Sequence, residues 1–84
     1  MSKLKIKPEH YEVLKNAFQD LNKQMNLDHV KSQYMTTGHT ELRFRWDMFW
    51  YIKMSGWVCR ELYPYLTDDH IDSALRKIFE ELGV

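Results

Sequence analysis

Residues that break helices are scarce in this chain. Its 84 residues include only three glycines and two prolines, which are Pro8, Gly38, Gly56, Pro64 and Gly83. A fold built from many short strands needs more turns than these positions supply, whereas a few helices need only a few breaks. We therefore predict an all-α fold. A chain of this length allows one domain, which buries about 60–65% of the surface of the unfolded chain and so has a thin core.

The two ends of the chain carry the clearest helix patterns. The first helix is predicted from Pro8 to Met25, because proline suits a first turn and apolar residues follow at intervals of three and four. These apolar residues are Tyr11, Leu14, Phe18, Leu21 and Met25. A last helix is predicted to begin at an N-cap, Thr67, and to end at Leu82, with two aspartates in its first turn. Its apolar residues are Ile71, Ala74, Leu75, Ile78, Phe79 and Leu82.

Two further helices are predicted between these. A short one runs from Leu27 to Thr36, with Asn26 as its N-cap. A long one covers residues 40–63 and ends before Pro64, since proline disfavours helical geometry in the preceding residue. Its predicted apolar face consists of Phe44, Met48, Phe49, Tyr51, Ile52, Ser55, Val58, Cys59 and Leu62. The prediction is a small helical bundle of three main helices plus one short helix, in a single domain over residues 1–84 whose residues 1–7 form a flexible tail or an edge segment.

Three tryptophans lie opposite that apolar face on the predicted long helix. Trp46, Trp50 and Trp57 are spaced four and seven residues apart, among charged residues. One interpretation makes them a second core face, covered by the first helix. The other makes them a surface for a protein partner or a second copy of the chain, because tryptophan and arginine are typical interface anchors. The residues predicted for such a partner-binding surface are Arg43, Trp46, Trp50, Lys53, Trp57 and Arg60.

The same segment also permits a nucleic-acid interpretation. Cations alternate with aromatic side chains there, and such a pattern can contact phosphates and stack on bases. The predicted residues are Arg43, Arg45, Lys53 and Arg60. The charge balance speaks against this alternative, because 12 basic and 12 acidic residues give a formal net charge of zero, whereas nucleic-acid binders usually carry a basic excess.

No residue pattern in the chain points to catalysis. The single cysteine, Cys59, excludes an internal disulfide and is predicted to be buried and inert. No two of the four histidines are spaced i,i+4, and a site built from His29 and His70 with their neighbouring aspartates is less expected than helix capping. We therefore predict a protein that is not an enzyme and uses no metal, cofactor or small-molecule substrate. The sequence also lacks an apolar signal core at its N-terminus and an apolar run of membrane-spanning length, so no membrane span is expected.

Two stretches resemble a known family. Residues 44–47 read Phe-Arg-Trp-Asp, and residues 62–78 read LYPYLTDDHIDSALRKI. They are similar to the "(F/Y)RWD" and "YLxDxHIDTALRxI" stretches of a family of small uncharacterised bacteriophage and prophage proteins, with Ser73 where threonine is usual. The resemblance covers roughly residues 42–78. It implies phage origin and the cytoplasm of the infected host, and it transfers no catalytic residue. Phage proteins of this size often redirect host machinery or defence, which favours a protein-binding function.

Overall fold

The all-α prediction is confirmed. A computed structural model describes residues 6–52, 60, 61 and 63–84. Four helices, and no strands, occur in this described part of the chain: α1 at Pro8–Met25, α2 at Leu27–Thr36, α3 at Glu41–Tyr51 and α4 at Asp68–Leu82. They pack into a small bundle in which α3 contacts both α2 and α4, and α1 contacts α2 and α4. None of the described helices is both long enough and apolar enough to cross a membrane.

Local signals explain the bounds of α1 and α2. Pro8 begins α1, where its missing N–H would have no intrahelical partner. Asn26 ends α1 in the left-handed conformation, with φ 45°, which asparagine tolerates better than most residues. Its side chain also accepts a hydrogen bond from the backbone N–H of His29. A single residue therefore ends one helix and caps the next.

Aromatic rings form the centre of the core. Phe18 from α1 and Phe44 from α3 both contact Phe79 of α4, with ring centroids 5.0 and 5.4 Å apart. Leu27, Leu75 and Ile78 are fully buried around these rings. Three helices thus meet on one aromatic cluster, and α2 contributes Leu27 to it.

The third helix is shorter than predicted, and the prediction of one helix over residues 40–63 is wrong. Helix α3 ends at Tyr51, because Ile52 adopts an extended conformation with ψ 115°. Residues 49–52 are aromatic or β-branched, and such side chains lose rotamer freedom in a helix. Tyr51, predicted on the apolar face, is instead 63% exposed. Ser55, Val58, Cys59 and Leu62 of the predicted face lie outside the described residues.

Of residues 1–7, predicted as a flexible tail or an edge segment, the structure describes Ile6 and Lys7, and both contact the rest of the fold. Ile6 is only 5% exposed and belongs to the core. The backbone N–H of Lys7 donates a hydrogen bond of 2.9 Å to the hydroxyl of Tyr63, which also bonds to Nδ1 of His10. Tyr63 itself is buried. This tyrosine therefore holds the start of α1 against the segment that leads into α4, while residues 1–5 lie outside the described part.

Candidate interaction surface

One side of α3 carries the first half of the predicted partner-binding surface. Arg43, Trp46 and Trp50 are spaced i, i+3 and i+7, and a helix places such residues on the same side. Trp46 is half-buried and meets Phe49 edge to face, with centroids 5.5 Å apart. Trp50 is 50% exposed, although its ring also contacts Phe49, at 5.2 Å. One tryptophan thus belongs partly to the core, and the next one presents half of its surface to solvent.

Arg60 joins these tryptophans from a different part of the chain. Its guanidinium carbon lies 4.7 Å from the centroid of the Trp50 ring, within the range of a cation–π contact. The Trp46 and Trp50 rings are 6.5 Å apart. We call Trp46, Trp50 and Arg60, with Arg43 at the edge, the Trp50 surface. The expectation that one long helix carries all of the predicted residues is wrong for Arg60, because α3 has ended before it.

Arg43 is only loosely paired. Its side chain is 63% exposed, and its Nε lies 3.5 Å from Oδ2 of Asp47. The same oxygen accepts a hydrogen bond of 2.7 Å from the hydroxyl of Tyr34. This bond, followed by burial, raises the pKa of Tyr34. The Asp47 carboxylate is therefore shared between a tyrosine and an arginine, and Arg43 keeps donors that face solvent.

The side chain of Arg45, by contrast, is paired within the fold. Its side chain is 13% exposed, and its Nε and Nη2 donate to the two carboxylate oxygens of Asp72 at 3.1 and 3.4 Å. Its Nη1 lies 3.7 Å from Glu41. Such a bidentate pair is strong and directional. Arg45 joins α3 to α4 and is not placed to bind an external phosphate.

Two residues of the predicted surfaces, Lys53 and Trp57, lie outside the described residues. Of the predicted protein-binding set, the structure thus brings together Trp46, Trp50 and Arg60, with Arg43 on the same side of α3. Of the predicted nucleic-acid set, it describes Arg43 and Arg60 as exposed and Arg45 as paired within the fold.

Sequence reasoning missed a polar cluster between α1 and α4. The Tyr11 hydroxyl donates to Glu81 Oε2 at 2.9 Å, and Lys15 Nζ lies 3.2 Å from the same oxygen. Burial, then the bond to Glu81, raises the pKa of Tyr11. The hydrogen bonds from Tyr11 and Lys15 lower the pKa of Glu81. The spacing of Tyr11 and Lys15 by one turn was the available signal, but their acidic partner lies 70 residues beyond Tyr11 in the chain.

Polar residues at the start of α4 bind within the fold. The Thr67 hydroxyl accepts from the backbone N–H of His70, as an N-cap does, and Asp72 binds Arg45. Nδ1 of His70 is buried and has no hydrogen-bond partner among the described residues. Within the described ranges, no group of three His, Cys, Asp or Glu side chains is placed to hold a metal ion.

A groove of about 220 Å³ lies where α2, α3 and α4 meet. Its rim includes Lys31, Glu41 and Arg45, and both cations approach the Glu41 carboxylate, at 3.6 and 3.7 Å. The charges along this groove therefore compensate one another. The Trp50 surface differs from this groove, because among the described residues it combines a half-exposed tryptophan with an arginine that forms no ion pair.

Comparisons with protein-family models, with curated proteins and with solved structures find no match for this chain.

Proposed function

We propose that this chain is a non-catalytic accessory protein that acts by binding another protein through the Trp50 surface. The observation that carries the proposal is the half-exposed indole of Trp50, which lies beneath Arg60. Large aromatic side chains and arginine supply most of the binding energy in many protein interfaces. A second copy of the chain is included among the protein partners that this surface could bind.

The surface is already ordered before a partner arrives. Trp46 packs against the core, the Trp50 ring contacts Phe49, and Arg60 lies over Trp50. Immobilising a flexible side chain at an interface costs about 0.5–1.5 kcal/mol. Because contacts within the chain restrict these rings, binding through them loses less conformational entropy.

We further propose a bacteriophage or prophage origin, with action in the cytoplasm of the bacterial host on its machinery or its defence systems. The support is the resemblance of residues 44–47 and 62–78 to the phage family. Phe44 and Arg45 of the first stretch contribute to the core and to the tie with Asp72. The resembling residues thus include positions on which the fold depends.

Nucleic-acid binding is the competing function, and the geometry favours it less. A phosphate chain needs several accessible cations along its path. Arg45 is held by Asp72, and Arg43 shares Asp47 with Tyr34. Of the three arginines predicted to contact nucleic acid, Arg60 is exposed and forms no ion pair with another described residue.

Site-specific photocrosslinking tests the proposed function. A photoreactive phenylalanine derivative replaces Trp50 in one variant and Val13 of α1 in a matched control, since Val13 is also an exposed apolar residue, at 47%. Each variant is produced in bacteria and irradiated in cells. We expect crosslinked products from position 50 that protease removes and nuclease does not, and far fewer from position 13. A product of twice the chain mass would identify a homodimer.

Two results would contradict the proposal. Equal crosslinking from positions 50 and 13 would mean that the Trp50 surface has no specific partner. A product from position 50 that nuclease removes would establish the nucleic-acid function instead. Its yield should then fall steeply as the salt concentration rises during irradiation of lysates, because phosphate contacts release counterions.

A further inference from the structure

We propose that the partner docks an acidic, apolar segment on the Trp50 surface, with a carboxylate on Arg60 and a neighbouring apolar side chain on the Trp50 ring. This inference rests on the proposed function and names the chemistry of the partner. Its starting point is the contact between Arg60 and Trp50, at 4.7 Å. That contact brings a cation and a half-exposed apolar ring together at one place on the surface.

The charge of Arg60 is not neutralised within the described chain. Its neighbour Glu61 is exposed but lies beyond ion-pair distance, and no other carboxylate of the described residues pairs with Arg60. A guanidinium has five N–H donors and no acceptor, and it matches the geometry of a carboxylate. The contact with the indole ring uses none of these donors in a hydrogen bond. Arg60 is therefore equipped to bind a carboxylate that the chain itself does not supply.

The aromatic side chains of the Trp50 surface favour an apolar side chain next to that carboxylate in the partner segment. Trp50 leaves half of its surface to solvent, and Trp46 continues the apolar area beside Trp50. Arg43, at the edge, adds a second guanidinium whose only described carboxylate partner is the shared Asp47. Charge complementarity thus favours an acidic segment over a neutral or basic one.

A protein segment suits this arrangement better than a phosphate chain. One carboxylate suffices for a bidentate contact with Arg60, and one adjacent apolar side chain suffices to cover the exposed part of the Trp50 ring. A nucleic acid would need further cations along its backbone, and Arg45 does not supply one because Asp72 engages it. The occupant that the observations favour is therefore an acidic, apolar peptide.

Fluorescence polarisation with defined peptides tests the inference. The probes are three short fluorescein-labelled peptides of equal length, which alternate Asp with Leu, Asn with Leu, and Asp with Ser. A labelled oligothymidylate is the nucleic-acid probe. Each is titrated with the full chain and with the Arg60→Gln and Trp50→Gln variants, whose folding is checked by circular dichroism.

We expect the Asp–Leu peptide to bind roughly ten-fold or more tightly than the Asn–Leu peptide, as hydrogen bonds to a charged group imply. The Asp–Ser peptide should bind more weakly than the Asp–Leu peptide, because it offers no apolar side chain to Trp50. Arg60→Gln should lower the affinity for the Asp–Leu peptide to that for the Asn–Leu peptide and leave the latter unchanged. Trp50→Gln should weaken both.

The failures of the two proposals are distinguishable. If the two Leu peptides bind equally and both depend on Trp50, the inference about acidity is wrong and the protein-binding function stands. If Arg60→Gln preserves the preference, or if the Asp–Leu peptide does not bind, the inference is likewise overturned. If oligothymidylate binds and no peptide does, the inference and the proposed function both fail.

Discussion

Arg43 and Arg45 show how much position decides the role of a residue. They are two residues apart on α3, and therefore about 200° apart around the helix. Arg43 points into solvent near Asp47, whereas Arg45 lies between α3 and α4 and binds Asp72 through two nitrogens. We expect Arg45→Gln to lower the free energy of unfolding by about 2 kcal/mol, because it leaves a mostly buried carboxylate without its charged partner.

The matched control for this prediction is Arg43→Gln, which removes an exposed i,i+4 pair and should cost about 0.5 kcal/mol or less. Urea unfolding of both variants and the parent chain measures the difference. Equal losses in the two variants would show that the Arg45–Asp72 pair contributes no more than a surface pair.

Glu81 gives the stability of the fold a dependence on pH. Hydrogen bonds from Tyr11 and Lys15 hold the pKa of Glu81 below its ordinary value. A carboxyl group whose pKa is lower in the folded state stabilises that state above its ordinary pKa of about 4.3 and loses this contribution as the pH falls through the folded value. Glu81→Gln does not titrate, so we expect the stability advantage of the parent chain over this variant to shrink between neutral pH and about pH 2.5.

Urea midpoints at the two pH values measure that advantage. Asp20→Asn is the control, because Asp20 is an exposed residue of α1 and its replacement should change the midpoints little. If the difference between the parent chain and Glu81→Gln were the same at both pH values, the pKa of Glu81 would not be coupled to folding.

At the scale of the elements, Tyr63 links the start of α1 to the segment before α4. Its hydroxyl accepts from the Lys7 N–H and bonds to His10, while its ring is buried. Tyr63→Phe keeps the ring and removes the hydroxyl, so the Lys7 N–H loses its partner. We expect a loss of about 1–2 kcal/mol in the free energy of unfolding and faster hydrogen exchange at the Lys7 amide.

Tyr51→Phe is the control for Tyr63→Phe, because Tyr51 is mostly exposed and its replacement should leave stability and exchange nearly unchanged. Unaltered exchange at Lys7 in Tyr63→Phe would mean that other contacts hold the start of α1.

The N-cap of α4 supports a second prediction at this scale. The Thr67 hydroxyl accepts from the backbone N–H of His70, and replacing such a cap by alanine costs about 1 kcal/mol. Thr67→Ala should therefore lower the thermal midpoint, whereas Thr67→Ser, which keeps the hydroxyl, should restore most of the loss. Failure of serine to restore it would show that the threonine methyl group, and not the cap, carries the effect.

The helices that the sequence predicts correctly are those with local signals at both ends. Helices α1, α2 and α4 are bounded by residues such as Pro8, Asn26 and Thr67, whose chemistry acts within a few positions. The end of α3 has no capping residue: the aromatic and β-branched residues 49–52 weaken the helix without marking where it stops, and the extended Ile52 packs against the core. The pairing of Arg45 with Asp72 could not be predicted either, because Asp72 is 27 residues away in the chain. Spacing along the sequence does not reveal contacts between such distant segments.

At the scale of the whole molecule, the fold and the proposed interface share α3 but use different sides of it. Phe44 is almost fully buried against Phe79, whereas Trp50 leaves half of its surface exposed. A domain of this kind is stable by about 5–15 kcal/mol in total. Loss of a core phenylalanine therefore removes a large part of the stability, while loss of an exposed tryptophan removes less.

This separation predicts opposite effects for two substitutions on one helix. Phe44→Ala should cost about 3–5 kcal/mol, whereas Trp50→Gln should cost less, about 2 kcal/mol, because half of the Trp50 ring already faces solvent and its contacts with Phe49 and Arg60 are lost. The effects on partner capture should be the opposite. At a temperature where each variant is folded, we expect Trp50→Gln to abolish capture and Phe44→Ala to retain it. Thermal unfolding and capture by the immobilised full chain measure the two effects. If Trp50→Gln unfolded the chain as readily as Phe44→Ala, Trp50 would belong to the core and the proposed interface would be lost.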